Sequence, residues 1–161
     1  MKPTVYIETS IVSYLTAKLS SDLRAAACQS ITTEWWERQR KNFELYISEF
    51  VIVEASRGDK NAAKLRLAAL KELTQLKVTE DAKILANKFI TEGALPAKAK
   101  IDAFHVAVAV TSGIEYLLTW NCTHIANATM YPKINKTCRL YGFEPTIICT
   151  PSELIEVKNV E

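Results

Sequence analysis

Apolar residues in this chain fall into short β-branched runs separated by longer stretches of helical period, and that alternation sets the expected architecture. TVYIE over 4–8, bounded by Pro3, predicts a first strand. FELYIS over 43–48 alternates Phe43, Leu45 and Ile47 and predicts a second strand. EYLLTW at 115–120 and PTIICT at 145–150 predict a third and a fourth. Between them, Thr9-Ser10 offers a helix cap before IVSYL, and Ser21–Lys41 predicts a second helix with Asp22 near its start. Further helices are expected at about 49–57, 60–75, 80–92, 99–112 and 129–141. A last turn of helix is expected from Pro151-Ser152, with Glu153 placed for a helix N-terminus. The glycines mark the same boundaries: Gly58, Gly93, Gly113 and Gly142 each directly follow a predicted helix, where a left-handed residue stops it. Strands separated by helices predict an α/β fold, a three-layer α/β/α sandwich around a central parallel sheet. With no repeat, low-complexity stretch or linker, residues 1–161 read as a single domain.

Composition narrows the class. The chain has 161 residues, enough to bury a core, and its 48% apolar and 24% charged residues are ordinary for a soluble globular protein. No apolar run approaches the roughly 20 residues a bilayer span requires. One Lys followed by a strand-like run does not read as a signal peptide, so a cytoplasmic protein without a membrane partner is expected. A formal charge of +2 and a pI near 8.3 neither demand nor exclude a nucleic-acid partner, which a local basic rim would hold. Cys28, Cys122, Cys138 and Cys149 are scattered without a C-x-x-C pair and read as reduced thiols. Cys122 and His124 form a C-x-H, but no second ligand pair follows, so structural zinc is not expected. There is no G-x-G-x-x-G or P-loop, which argues against a nucleotide-binding enzyme.

The candidate chemistry lies where apolar segments stop. Glu8 closes VYIE, Glu54 sits within EFVIVEASRG, Asp102 opens IDAFHVAVAV, and Asn121 follows EYLLTW. Each has an ordinary explanation alone: a solvated strand end, an ion pair with Arg57 or a solvated helix face, a first-turn helix charge, a turn residue. Together they fit one edge of the expected sheet, since ligands in open α/β folds bind beyond the carboxyl ends of the strands. Glu54 among Val51, Ile52, Val53 and Ala55 also needs a compensating partner. Three carboxylates and an amide would form an oxygen-rich pocket suited to Mg²⁺ or Mn²⁺.

At these residues the chain resembles the PIN-domain superfamily of nucleases, which includes the VapC-type toxins. YIETSIVSYL supplies the acidic residue and polar pair, Glu8-Thr9-Ser10; SEFVIVEASRG supplies Glu54; DAFHVAVAVTSG supplies Asp102; and LLTWN supplies Asn121. The match runs from about residue 4 to 149. It departs at two positions, Glu8 and Asn121, where the family usually carries Asp. Glu8 keeps the charge on a longer arm, whereas Asn121 keeps an acceptor and loses a charge. The resemblance implies a Rossmann-like PIN fold and a Mg²⁺- or Mn²⁺-dependent endoribonuclease, the toxin of a VapBC-like pair. Glu8, Glu54, Asp102 and Asn121 would then be the catalytic and metal-ligating set, with Thr9 or Ser10 hydrogen-bonding a ligand carboxylate or a metal water. It also implies RNA as substrate, a cognate antitoxin and a homodimer.

Lys98, Lys100 and His124 lie in sequence beside the expected pocket and are candidate substrate contacts, alongside the plainer readings of a solvated loop and a loop histidine. His105, one turn after Asp102, reads better as a packed, hydrogen-bonded imidazole than as a site residue. Lys133, Lys136 and Arg139 read as an exposed basic face, and Trp35, Trp36 and Trp120 as core or partner-contact residues. Two other functional readings stand beside the nuclease. One is a non-catalytic PIN-like module that binds RNA or protein, favoured by Glu8 and Asn121. The other is a phosphoryl-transfer receiver or phosphatase, for which Glu8 is a poor substitute for an Asp nucleophile.

Overall fold

The computed structural model describes residues 1–156. Five strands, β1 (Thr4–Ile7), β2 (Glu44–Ser48), β3 (Thr74–Leu76), β4 (Tyr116–Leu118) and β5 (Ile147–Cys149), form one sheet in the order β3-β2-β1-β4-β5. Every neighbouring pair is parallel, with Val5 opposite both Leu45 and Tyr116. Helices α1 (Thr9–Thr16) and α2 (Leu23–Glu34) lead from β1 to β2, and α3 (Glu49–Ala55) and α4 (Lys60–Leu70) from β2 to β3. Helices α5 (Glu80–Thr91) and α6 (Lys100–Thr111) then lead to β4, and α7 (Tyr131–Leu140) to β5.

This order dictates the layers. The chain steps outward from β1 to β3, returns past β1 to β4, and steps the opposite way to β5. Right-handed crossovers therefore put α1–α4 on one face and α5–α7 on the other. The packing agrees: α1 contacts α2, α3 and α4, while α5 contacts α6 and α7. The fold is the expected α/β/α sandwich. No helix among the described residues is long and apolar enough to cross a membrane.

Central strand β1 is covered on both faces, so Val5, Tyr6 and Ile7 are fully buried despite their alternating orientation. Each Ile or Leu sealed this way contributes about 1.5–3 kcal/mol. Helix α6 is apolar nearly all round, with Ala103 and every residue from His105 to Val110 buried, as expected of a helix enclosed between neighbours. It stops at Gly113, whose φ of 69° lets Ile114 N–H reach Ala109 O and Gly113 N–H reach Val110 O. This is a Schellman closure, and a Cβ at Gly113 would be strained there.

Three expectations need correction. The helix expected over 60–75 ends at Leu70, and Thr74–Leu76 is edge strand β3. That strand is three residues long with Thr74 and Gln75 exposed, so it has no apolar alternation to betray it. The helix expected over Ser21–Lys41 leaves α-geometry at Trp35, where Arg40 N–H bonds Trp35 O in a π-turn (Trp35–Gln39) before a 3₁₀ turn (Arg40–Asn42). The widening accompanies burial of the Trp35 indole, which donates to Leu154 O at 2.8 Å. Pro151–Glu153 forms a turn rather than a helix, and Glu153 Oε1 accepts from both Thr150 N and Thr150 Oγ1.

Candidate active site

Strand order reverses at β1 and β4, the point where an open parallel sheet leaves a crevice at its carboxyl edge. Each of the four candidate residues is delivered to that edge by a different element. Glu8 follows β1 directly and Asn121 lies just past β4, while Ser48 ends β2 and starts the helix α3 that carries Glu54. Asp102 is in the first turn of α6.

Glu8, rather than the expected Thr9-Ser10, is the N-cap of α1, because its carboxylate reaches the Ser10 amide, and only 5% of the residue is exposed. Its Oε2 accepts the Ser10 amide at 3.0 Å, and its Oε1 accepts Ser10 Oγ at 2.6 Å together with the Thr119 hydroxyl. The extra methylene of Glu lets the carboxylate fold back over its own helix terminus while still reaching β4. Ser10 Oγ also accepts Trp120 N–H at 2.8 Å, so one hydroxyl joins the start of α1 to the loop that carries Asn121.

Glu54 accepts Thr9 Oγ1 (2.7 Å) and His105 Nε2 on the same oxygen, Oε1. Burial pushes this carboxyl's pKa up, while the hydrogen bonds from His105 and Thr9 and the nearby Arg57 charge lower it, and the net shift is downward. His105 is fully buried, with Nδ1 at 2.7 Å from Tyr6 Oη, which in turn lies 2.7 Å from Ser48 Oγ. Burial is the largest cause raising the Tyr6 phenol, reinforced by the charges of Glu8 and Glu54 and opposed by the Ser48 hydrogen bond. Ligating atoms of Glu8, Glu54 and His105 all lie within 4.8 Å of one another.

Asp102 stands outside that trio and is tied to it through hydrogen bonds. Its Oδ1 accepts Asn121 Nδ2 at 3.0 Å, and Asn121 N–H donates to Thr119 Oγ1 at 2.9 Å, the hydroxyl that bonds Glu8. Its Oδ2 lies 2.8 Å from His124 Nδ1, and both side chains are 19% exposed. Asn121 Oδ1 accepts His124 N–H at 3.1 Å, closing the loop on itself. Glu8, Asn121 and Asp102 thus belong to one hydrogen-bond network, whereas Glu54 belongs to a second one, built on Thr9 and His105, and meets the first by proximity to Glu8.

The donor chemistry fits a hard divalent cation. The trio supplies two carboxylates, and Asp102, outside that cluster, is linked to Glu8 through Asn121 and Thr119. Glu54 Oε2 has no hydrogen bond among the described residues, and the Glu8 and Asp102 oxygens keep further lone pairs. Lys98 and Lys100 are exposed around the short 3₁₀ turn Ala97–Ala99 that leads into α6, and neither forms an ion pair among the described residues. Trp35 and Trp120 are used internally, the latter donating to Thr32 Oγ1 at 2.7 Å. Sequence reasoning missed Tyr6, Ser48 and Thr119. Thr119 had a signal in its place within LLTWN and Ser48 one as the first residue of SEFVIVEASRG; Tyr6 read as an ordinary strand residue.

The fold resembles solved structures at low identity. A chain of the VapBC2 complex of Rickettsia felis, bound to a DNA fragment from its promoter, superposes with a TM-score of 0.57 at 14% identity, over 91% of this chain and 98% of that one. VapC20 of Mycobacterium tuberculosis, a sarcin-ricin loop cleaving toxin, gives 0.58 at 18% identity, over 74% of this chain and 92% of that one. VapBC-1 from nontypeable Haemophilus influenzae gives 0.58 at 13% identity, over 92% and 98%. At such identity these likenesses speak for the fold alone. No curated protein matches the chain. The sequence profile of the PIN domain, however, matches residues 5–121, from the first strand to Asn121, and on that match the chain belongs to the PIN-domain family.

Proposed function

We propose that this protein is a divalent-metal-dependent endoribonuclease of the VapC type, and that residues 1–161 act as one PIN-like domain. The observation that carries the reading is the meeting of Glu8 and Glu54 within 4.8 Å at the carboxyl edge, joined through Thr119 and Asn121 to Asp102. Glu8, Glu54 and Asp102 would hold Mg²⁺ or Mn²⁺, with the Asn121 amide oxygen completing the set. When bound, the cation supplies Lewis acidity and charge neutralisation for phosphodiester hydrolysis. Thr9 and Ser10 fix two of the carboxylates by hydrogen bonds. Asn121 orients Asp102, and His124, held by Asp102 through Nδ1, turns its other ring nitrogen to substrate. Lys98 and Lys100, exposed beside the start of α6, meet backbone phosphates. Family membership supports RNA as the substrate, a cognate antitoxin and a homodimer as partners, and a cytoplasmic location.

The test is cleavage of an RNA panel with Mg²⁺ or Mn²⁺ by wild type and Asp102→Asn. The expected result is a loss of at least about 100-fold in the variant; equal rates would remove the assignment. A second reading, a PIN-like module that binds without cutting, is favoured by the hydrogen bonds already occupying both oxygens of Glu8 and of Asp102. Calorimetric titration with Mn²⁺ separates the two, because the binding module takes up none at millimolar concentration.

A further inference from the structure

The expected chemistry at this edge leaves three buried polar side chains unexplained: Ser48 at the end of β2, Tyr6 in β1 and His105 in α6, each fully buried. They make consecutive contacts, Ser48 Oγ to Tyr6 Oη at 2.7 Å, Tyr6 Oη to His105 Nδ1 at 2.7 Å, then His105 Nε2 to Glu54 Oε1. We propose that Ser48, Tyr6 and His105 form a one-way hydrogen-bond relay that orients Glu54, holding its Oε1 and presenting its Oε2 to the cation. The proposal rests on the metal reading above and assigns positioning residues to it.

Proton counting sets the direction. An ionised carboxylate only accepts, so Nε2 must carry a hydrogen and give it to Glu54. If Tyr6 gives its hydroxyl proton to Nδ1 and Ser48 gives its own to Tyr6, three protons serve three bonds. If Nδ1 instead carried a proton, Tyr6 would donate to Ser48 and the Ser48 proton would have no acceptor. A buried donor left without an acceptor costs stability, and Tyr6 Oη is the side-chain partner that Ser48 Oγ has among the described residues. The neutral Nε2–H tautomer satisfies every group. Bonds aligned this way also polarise one another toward the carboxylate.

The ring cannot turn away from this task. Phe50 packs edge-on against His105 with centroids 6.4 Å apart, Phe50 stacks on Phe104 at 4.5 Å, and Tyr6 meets the imidazole at 63°. Nε2 lies near Glu8 and Glu54 as a metal ligand would, but its lone pair is replaced by the hydrogen it donates. His105 therefore acts through Glu54 rather than on the cation. Thr9 Oγ1 lands on the same Oε1, so both donors leave Oε2 clear.

The test is Mn²⁺ calorimetry on the full chain for wild type, His105→Met, His105→Gln and Tyr6→Phe, with the tautomer of His105 read in the metal-free protein by imidazole nitrogen NMR. His105→Met should weaken Mn²⁺ binding by about 10–100-fold, and His105→Gln by no more than about threefold, because its amide nitrogen replaces the Nε2–H donor. Tyr6→Phe keeps the ring and should weaken binding roughly three- to tenfold while mixing the tautomers. It carries the test if His105→Met does not fold. Wild-type affinity in both His105→Met and Tyr6→Phe would overturn the relay. So would a Gln variant as weak as Met, which would make the imidazole itself a ligand, or a protonated Nδ1 in wild type. Wild type that binds no Mn²⁺ overturns the metal reading and with it the presentation of Oε2, and the tautomer measurement then shows separately whether the hydrogen-bond chain is right.

Discussion

Ser10 is the point where the two halves of the site are fastened, and Ser10→Ala tests that directly. Its hydroxyl donates to Glu8 Oε1 at 2.6 Å and accepts Trp120 N–H at 2.8 Å. Alanine removes a hydrogen bond to a charged acceptor, worth about 1.5–3 kcal/mol, and leaves the Trp120 amide without a protein partner. Part of the loss is recovered, because Ser10 is half-buried and water can reach the gap, and because Glu8 keeps Ser10 N–H and Thr119. The net is a destabilisation of about 2–3 kcal/mol, or roughly 4–12 °C in Tm for a domain of this size. Urea unfolding followed by tryptophan fluorescence gives the number, provided the slope against denaturant is unchanged. Ser13→Ala is the control: Ser13 sits half-buried on the same helix and its hydroxyl makes no hydrogen bond among the described residues. If the two variants agree within about 0.5 kcal/mol, the range of an ordinary surface change, Ser10 does not couple α1 to the Asn121 loop.

Glu8→Asp restores the residue the family usually carries, yet it should be a loss here. The carboxylate retreats by about 1.5 Å, one C–C bond, and cannot serve both Ser10 and Thr119, so a drop of about 1–2 kcal/mol and weaker Mn²⁺ binding are expected; a Tm equal to or above wild type would refute this. Thiol labelling should sort the cysteines by burial: exposed Cys122 reacts first in the native protein, while Cys138 and Cys149, buried with thiols pushed up to about 12, react only on unfolding. Mass spectrometry of a time course checks the order, and equal rates at all four positions would contradict the packing.

What the sequence disclosed was whatever local chemistry controls. Short apolar runs disclosed β1, β4 and β5 and alternation disclosed β2, and central β1, buried on both faces, shows why such a run is apolar throughout. Gly113 marked the end of α6, because few other residues accept its backbone angle. The four polar residues stood out because each interrupts an apolar run at the end of an element. Hidden were features decided by partners distant in sequence. Tyr6 in TVYIE looks like an ordinary β-former, and its role depends on Ser48, 42 residues away, and His105, 99 residues away. Strand β3 escaped because an exposed three-residue edge strand is specified by the backbone of β2 rather than by its own side chains.

The hydrogen-bond network also explains how three carboxylates share one edge. Like charges raise one another's energy, and each must be offset locally. Glu8 caps α1 and Asp102 lies in the first turn of α6, so both occupy the positive end of a helix. Glu54 does not: it is next to last in α3, where the helix dipole opposes a negative charge. It is also the carboxylate given a buried imidazole and a threonine hydroxyl as donors, and its downward pKa shift records that they prevail. The asymmetry gives His105 a reason to exist at that position and no other. At Glu8 and Asp102 a helix N-terminus adds to the side-chain partners Thr119, Asn121 and His124, whereas Glu54 has side-chain partners alone.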